Sequence, residues 1–352
     1  MTASAKVRVL VVDDSITARK HIVELLESDA GFQVVGEAAD GREAIELVGK
    51  LKPDVITMDM MLPVMSGLAA TEWIMAYCPT PIVVVSGSLN RGELFRTYDA
   101  IAAGAVEVVP KPEATTDRSE WGARLTSILR VASRIKVVTH VRARLSRSPS
   151  AGGVTAPPPP SAAVNLVALG ASTGGPGAVL VLMDLPAGFP VPILLVLHIG
   201  APFDVTLADW LDAQSPHRVV FAKEGERPLD GPPRVFLAPA GRHMSLVHGR
   251  LRLDAGPERH SCRPSIDVLF ESVAEEIGPG AAAALLTGMG RDGADGLLAI
   301  RRAGGHTIAQ DEASSVVYGM PRAAAEIGAA GAILGLDAIG PALSRLVKRG
   351  SR

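Results

Sequence analysis

The feature that most constrains this chain is a low-complexity run, SPSAGGVTAPPPPSAA, set between two long stretches in which short β-branched segments alternate with helix-like ones. A run of that composition cannot bury a core, so residues 134 to 163 read as a linker. With 352 residues to divide, each flank is long enough to build a core of its own. The expected organisation is therefore a domain over 1–133, a linker over 134–163 and a second domain over 164–352.

Before the linker the apolar runs are VRVLVV, QVVGEA, DVITMD and PIVVVSG, with helical patterns over Ile16 to Leu26 and in REAIELVGKL. Beyond it come NLVALG, PILLVLH, HRVVFA, RVFLAPA and AAALLTG, with helices expected after Gly177, near 204 to 213, over Ile266 to Ile277 and from Gly293. Strand and helix alternation of this kind predicts an α/β fold class, two doubly wound parallel-sheet domains in series. The halves share alternation but no repeat of 20 to 50 residues, which excludes a solenoid.

Charge and cysteine content remove several function classes. Lys and Arg number 35 against 37 Asp and Glu, a net charge of −2, and the second half carries neither a helix-turn-helix pattern nor a basic stripe. Nucleic acid is thus not an expected partner, and the arginines at 134, 142, 144 and 147 read as a solvated surface. Cys78 and Cys262 are far apart and show no CxxC or Cys/His spacing, which fits a reducing, cytoplasmic setting. Apolar runs such as PILLVL are too short to span a bilayer, and the N-terminus lacks signal-peptide character, so no direct membrane insertion is expected.

In the first domain, Asp13 and Asp14 close VLVVDDS and Asp59 closes DVITMD, at strand ends where parallel sheets present their ligand-binding edge. Three converging carboxylates repel unless a cation sits among them, and an all-oxygen donor set suits Mg2+. Ser86 at the end of PIVVVS and Lys111 in VVPKP add a hydroxyl and an ammonium able to hold phosphoryl oxygens. Singly, these residues read more readily as caps or solvated side chains. Together, with DMMLPVMSG after the third acid, residues 6 to 133 resemble the receiver domain of bacterial response regulators, a flavodoxin-like fold. That resemblance implies Asp59 as phosphoacceptor, Asp13, Asp14 and Asp59 around Mg2+, Ser86 and Lys111 as switch residues, and a histidine kinase as phosphodonor. Met61 and Val108 depart from the pattern, standing where an acid and an aromatic are frequent.

In the second domain, GASTGG places Gly170, Ser172 and Gly174 as GxSxG at a strand-to-helix turn, which exposes a hydroxyl beside a helix N-terminus. The same turn also reads as an N-cap or a dinucleotide-phosphate loop, but the latter expects an acid at the end of the next strand, where His198 stands. His198 is the candidate base, with His243 as rival. Asp292 in LLTGMGRDGADG is the candidate orienting acid; it and Asp295 also read as helix caps.

Through GASTGGP, APAGRHM, RPSIDVLFESVA, LLTGMGRDGADG and AQDEASSVVYGMP, residues 164 to 347 resemble the catalytic domain of chemotaxis protein-glutamate methylesterases, a Rossmann-like fold. The resemblance implies a triad of Ser172, His198 and Asp292, with Thr173 and Met289 at the oxyanion turn and no cofactor for the esterase step. It also implies a chemoreceptor cytoplasmic domain as substrate, its glutamate methyl esters hydrolysed and its glutamines open to deamidation by the same nucleophile. Leu197 departs from the family's Gln before the histidine, and LHIGAP lacks the Met-Pro pair that follows it. Alternatives left open are a phosphorylation-controlled scaffold with an inactive serine, and an esterase serving a pathway other than motility.

Overall fold

The computed structural model describes residues 6–87, 91–112, 117–135, 163–182, 185–199 and 203–349, and the chain divides into two compact units between Ser150 and Ala151. Most of the expected linker, 136–162, lies outside the described residues.

The first unit runs β1 (Val7–Val12), α1 (Ile16–Glu27), β2 (Phe32–Ala38), α2 (Gly41–Leu51), β3 (Val55–Met58), α3 (Gly67–Tyr77), β4 (Ile82–Ser86), α4 (Arg91–Ala102), β5 (Glu107–Pro110) and α5 (Arg118–Ala132). Its five strands pair in parallel in the order β2-β1-β3-β4-β5, the flavodoxin-like winding. Central strands β3 and β4 are buried on both faces, which is why they read as unbroken apolar runs rather than alternating ones. Helix starts follow local chemistry: Ser15, Asp40, Ser66 and Asp117 each cap the next helix through a side-chain oxygen.

The second unit comprises β6 (Leu166–Ala171), α6 (Gly175–Leu182), β7 (Ile193–Leu197), α7 (Asp204–Gln214), β8 (Val219–Phe221), β9 (Val235–Leu237), β10 (His243–Val247), β11 (Arg250–Asp254), α8 (Ile266–Ile277), β12 (Ala281–Leu285), α9 (Ala294–Arg302), β13 (His306–Gln310), α10 (Met320–Glu326), β14 (Ala332–Leu334) and α11 (Leu336–Arg349). Seven parallel strands pair in the order β14-β13-β12-β6-β7-β9-β8, while β10 and β11 form a separate antiparallel hairpin. The chain leaves β6 toward β7 on one side and returns to β12 on the other. A crevice at the carboxyl ends of β6 and β12 is therefore the topological switch point.

Helix α8 shows how packing fixes that crevice. Its buried Ile266, Leu269, Phe270 and Val273 recur at helical spacing, each worth about 1.5–3 kcal/mol when fully buried. Ile266 lies over Gly170, where an added Cβ would come within 2.4 Å of its Cγ2. Opposite, β12 is nearly all alanine, a weak strand former, yet it is wholly buried between β6 and β13. Tertiary context overrides propensity there.

Candidate functional site

At the carboxyl edge of the first sheet, the carboxylates of Asp13, Asp14 and Asp59 offer oxygens that all lie within 4.8 Å of one another. Asp13 and Asp59 are buried and Asp14 is exposed. Lys111 Nζ sits 2.7 Å from Asp13 Oδ2 and 2.7 Å from Asp59 Oδ2. Burial is the largest influence on Asp13 and pushes its carboxyl above the usual range against the pull of Lys111. Burial pulls Lys111 down, but its bonds to Asp13 and Asp59 outweigh that and hold the ammonium above its ordinary value. An all-oxygen cluster with more negative charge than one lysine balances fits a hard divalent cation.

Ser86 ends β4, buried, with its carbonyl accepting from the Lys111 N–H at 2.9 Å. The SG of DMMLPVMSG has a steric cause: a Cβ on Gly67 would fall 1.9 Å from the Asp59 carbonyl oxygen. Val108 is buried in β5 and Met61 is exposed, its amide donating to Asp59 Oδ1 at 3.3 Å. Ser15 rather than Asp13 is the N-cap of α1, with Asp13 Oδ1 accepting from the Ser15 N–H at 2.9 Å, and Lys111 is paired rather than solvated.

At the switch point of the second sheet, Ser172 leaves β6 and its N–H donates to the Thr287 carbonyl beyond β12 at 3.0 Å. The Thr287 hydroxyl donates to the Thr173 carbonyl at 2.9 Å and accepts from the Val317 N–H at 2.9 Å. Gln310 accepts from the Thr287 N–H at 2.7 Å, so three segments lock the serine turn. Gly174 takes φ +75°, and a Cβ there would meet Val316 at 2.5 Å, so glycine is required on both counts. Ser172 also rests on the GMG turn, since a Cβ on Gly288 would lie 2.7 Å from Ser172 Cβ. Among the described residues, neither the Thr173 nor the Met289 N–H donates to a protein acceptor.

His198 follows β7, which pairs directly with β6, and its Nε2 lies 3.0 Å from Asp292 Oδ2. Asp292 is buried and does not cap the helix it precedes. Its Oδ1 accepts from Ser265 Oγ at 2.7 Å and its Oδ2 from the Ile266 N–H at 2.7 Å, so it sits at the N-terminus of α8. Burial raises Asp292, but bonds from His198, Ser265 and Ile266 outweigh it and hold the carboxyl below its usual value. Burial likewise lowers His198, yet Asp292 and then Cys262 outweigh it and raise the imidazole to about 9.

Ser172 and His198 share no hydrogen bond among the described residues, so the structure brings together the His–Asp pair and leaves the serine contact unmade. The rival His243 is buried in β10 with both ring nitrogens spent, Nδ1 accepting from the Ser265 N–H at 3.1 Å and Nε2 lying 3.0 Å from the Pro257 carbonyl. Asp295 pairs with Arg291 at 3.1 Å in the first turn of α9. Leu197 is a core residue: a Cβ on Gly175 would reach its Cδ1 at 2.5 Å, which gives an apolar side chain a packing role there. Residues 200–202 of LHIGAP lie outside the described residues.

Three site residues escaped sequence reading. Ser265 orients Asp292, and a serine opening a helix gives no sign that it serves a distant acid. Asp267, fully buried, is pushed to about 6 by burial, with the charge of Asp292 adding and the Gly296 N–H opposing. Cys262 Sγ lies 3.7 Å from His198 Nδ1, across 64 residues of sequence.

Two parallel-sheet units, one ending in an acid and lysine pocket and the other in a serine turn beside a His–Asp pair, define a receiver coupled to a serine hydrolase of α/β architecture. Residues 9–119 match the response regulator receiver domain and residues 167–343 match the CheB methylesterase model. The chain is 42% identical over 343 residues to protein-glutamate methylesterase/protein-glutamine glutaminase 2 of Anaeromyxobacter dehalogenans, covering 97% of each. It is also 42% identical, again over 97% of each chain, to the protein of that name from Nitrosospira multiformis. The CheB methylesterase catalytic domain of Thermotoga maritima superposes at a TM-score of 0.50 and 35% identity, covering 53% of this chain and 100% of that one. The chain belongs to the CheB methylesterase family, with a response regulator receiver domain ahead of the catalytic domain.

Proposed function

We propose that this protein is a phosphorylation-regulated protein-glutamate methylesterase acting on chemoreceptor cytoplasmic domains, with Ser172, His198 and Asp292 as its triad. The observation that carries the reading is the His198–Asp292 pair at 3.0 Å, its carboxylate buried at a helix N-terminus next to the serine turn. Asp292 occupies Nε2, so Nδ1 is the nitrogen left to act as base. Hydrogen bonds between nucleophile and base often tighten only when substrate seats, which accommodates the unmade serine contact.

In this mechanism Ser172 Oγ attacks the ester carbonyl and passes its proton to His198 Nδ1. Asp292 stabilises the imidazolium, and the uncommitted Thr173 and Met289 N–H groups receive the oxyanion. His198 then protonates the departing methoxide oxygen, so that it leaves as methanol, and water, deprotonated by the same nitrogen, frees the γ-carboxylate and regenerates Ser172. An amide enters the same sequence with ammonia as leaving group, so glutamine deamidation uses the same residues, in keeping with the glutaminase in the relatives' names.

Asp13, Asp14 and Asp59 would hold Mg2+, which supplies charge neutralisation when a phosphoryl group is transferred to Asp59 from a histidine kinase. Lys111 and Ser86 then contact the phosphoryl oxygens, and the two-domain organisation supports a receiver whose phosphorylation raises esterase activity. The same reading sets the domain limits at 1–133, 134–163 and 164–352 and puts the protein in the cytoplasm. No described helix is long and apolar enough to cross a membrane.

The test is methanol release from methylated chemoreceptor fragments by the full chain, with and without a small-molecule phosphodonor. The reading predicts stimulated release from the natural chain; release no greater than that of Ser172→Ala would reject it and leave the scaffold alternative.

A further inference from the structure

The histidine that pairs with Asp292 has a second neighbour. Asp292 takes Nε2 of His198, and the remaining nitrogen, Nδ1, lies 3.7 Å from Cys262 Sγ. Both residues are intermediate in burial, and the His198 side chain keeps 14% exposure. Zinc bonds of about 2.0–2.1 Å to nitrogen and about 2.3 Å to sulfur set ligand atoms about 3.6 Å apart in a tetrahedral site. The observed spacing of 3.7 Å therefore matches one edge of such a tetrahedron.

The ligand chemistry is selective. A thiolate with an imidazole favours Zn2+ and related soft cations over Mg2+ or Ca2+. Asp292 supplies the support that zinc-bound histidines commonly have, a carboxylate on the far ring nitrogen that fixes orientation and raises the basicity of the ligating one. Ser265 Oγ and the Ile266 N–H hold that carboxylate in place, which keeps it behind the ring. The donor atoms of His198, Cys262 and Asp292 all fall within 4.8 Å of one another.

We propose that Cys262 and His198 form an inhibitory site for a thiophilic divalent cation, Zn2+ foremost, which occupies the nitrogen the esterase uses as base. Binding releases to solvent the Cys262 thiol proton and, below the His198 value of about 9, the proton on Nδ1, forms Zn–S and Zn–N bonds, and leaves the other positions on the ion to water. With the Nδ1 lone pair engaged, the Ser172 proton has no acceptor. The inhibitory half rests on the esterase reading above; the binding half rests only on the two ligand atoms.

The experiment uses the full chain in excess Mg2+, which fills the oxygen-rich receiver pocket, and titrates Co2+ as a spectroscopic stand-in for Zn2+. A near-ultraviolet thiolate-to-cobalt band should appear, be displaced by Zn2+, persist in Cys78→Ser and vanish in Cys262→Ser. In parallel, Zn2+ should suppress methanol release and a chelator restore it. Cys262→Ser, compared with its own metal-free rate, should need roughly tenfold more Zn2+ or greater for the same suppression. Cys262→Ala, checked by circular dichroism, serves as a second variant if the serine form folds poorly.

A band that survives in Cys262→Ser, or no thiolate band at all, would overturn the site. Equal Zn2+ sensitivity of Cys262→Ser and the natural chain would overturn its inhibitory role. A Cys262-dependent band in a chain that never releases methanol would retain the metal site and reject the esterase reading, so the two failures are distinguishable.

Discussion

Both domains place chemistry at the carboxyl edge of a parallel sheet and both bury an aspartate there, yet the two carboxylates face different cations. In the receiver, Asp13 and Asp59 share a lysine ammonium at 2.7 Å, a cation that stays charged across the working pH range. In the catalytic domain, Asp292 faces an imidazole at 3.0 Å, which can lose its proton. The fixed cation suits a pocket that holds phosphoryl oxygens and metal; the titratable one suits proton transfer. On the proposed function, the same architecture yields a switch or a catalyst according to the group set opposite the acid.

The largest effect should come from Ser172, the proposed nucleophile. Ser172→Ala is expected to lower methanol release by roughly 10⁴-fold or more, measured on methylated receptor fragments, since the remaining residues have nothing to activate. Asp292→Asn should come next, with a loss of about 10²- to 10⁴-fold, because a neutral amide cannot stabilise the imidazolium. If that variant kept near-natural turnover, the contrast between a lysine-facing and an imidazole-facing acid would lose its catalytic meaning.

Because His198 is raised to about 9, kcat/KM should climb about tenfold per pH unit below that value and level off near it. A profile already flat at neutral pH would break this part of the comparison. Stability carries the matching sign: the His198–Asp292 contribution is complete below the unfolded histidine value of 6.5 and is lost as pH rises through about 9. Thermal unfolding at fixed ionic strength across that window measures it.

Asp59→Asn should abolish stimulation by a phosphodonor while leaving unstimulated methanol release in place, which separates the switch acid from the catalytic one. The smallest expected change is structural. Gly174→Ala must force a side chain into φ +75° and against Val316 at 2.5 Å, destabilising the catalytic domain by about 1–3 kcal/mol, read as a lower unfolding temperature.

Much of this was legible in the chain. The α8 range Ile266–Ile277 follows directly from apolar spacing, and the order of apolar runs puts His198 on the strand next to the serine turn, as β6–β7 pairing has it. The helix expected after Gly177 begins earlier, at Gly175, because the tight GASTGG turn flows straight into it. The β10–β11 hairpin went unassigned: its turn residues His248 and Gly249 both take positive φ, but a histidine there hides the usual Asn-Gly or Asp-Gly signal. The spacing likewise gives no expectation for α3, α4, α5, β13, β14, α10 and α11.

What the sequence determined alone was a set of local regularities: strand ends carrying acids, a glycine-bounded serine, and the periodicities that wind each half into a parallel sheet. Each depends on neighbours a few residues away, so spacing exposes it. Which groups then meet was decided only by tertiary structure. Asp292 reads as a cap for its own helix but caps α8 instead, and Cys262 reads as an isolated thiol but lies against His198. Those contacts depend on how α8 packs over the switch point, and side-chain burial at long sequence separation leaves no periodic mark.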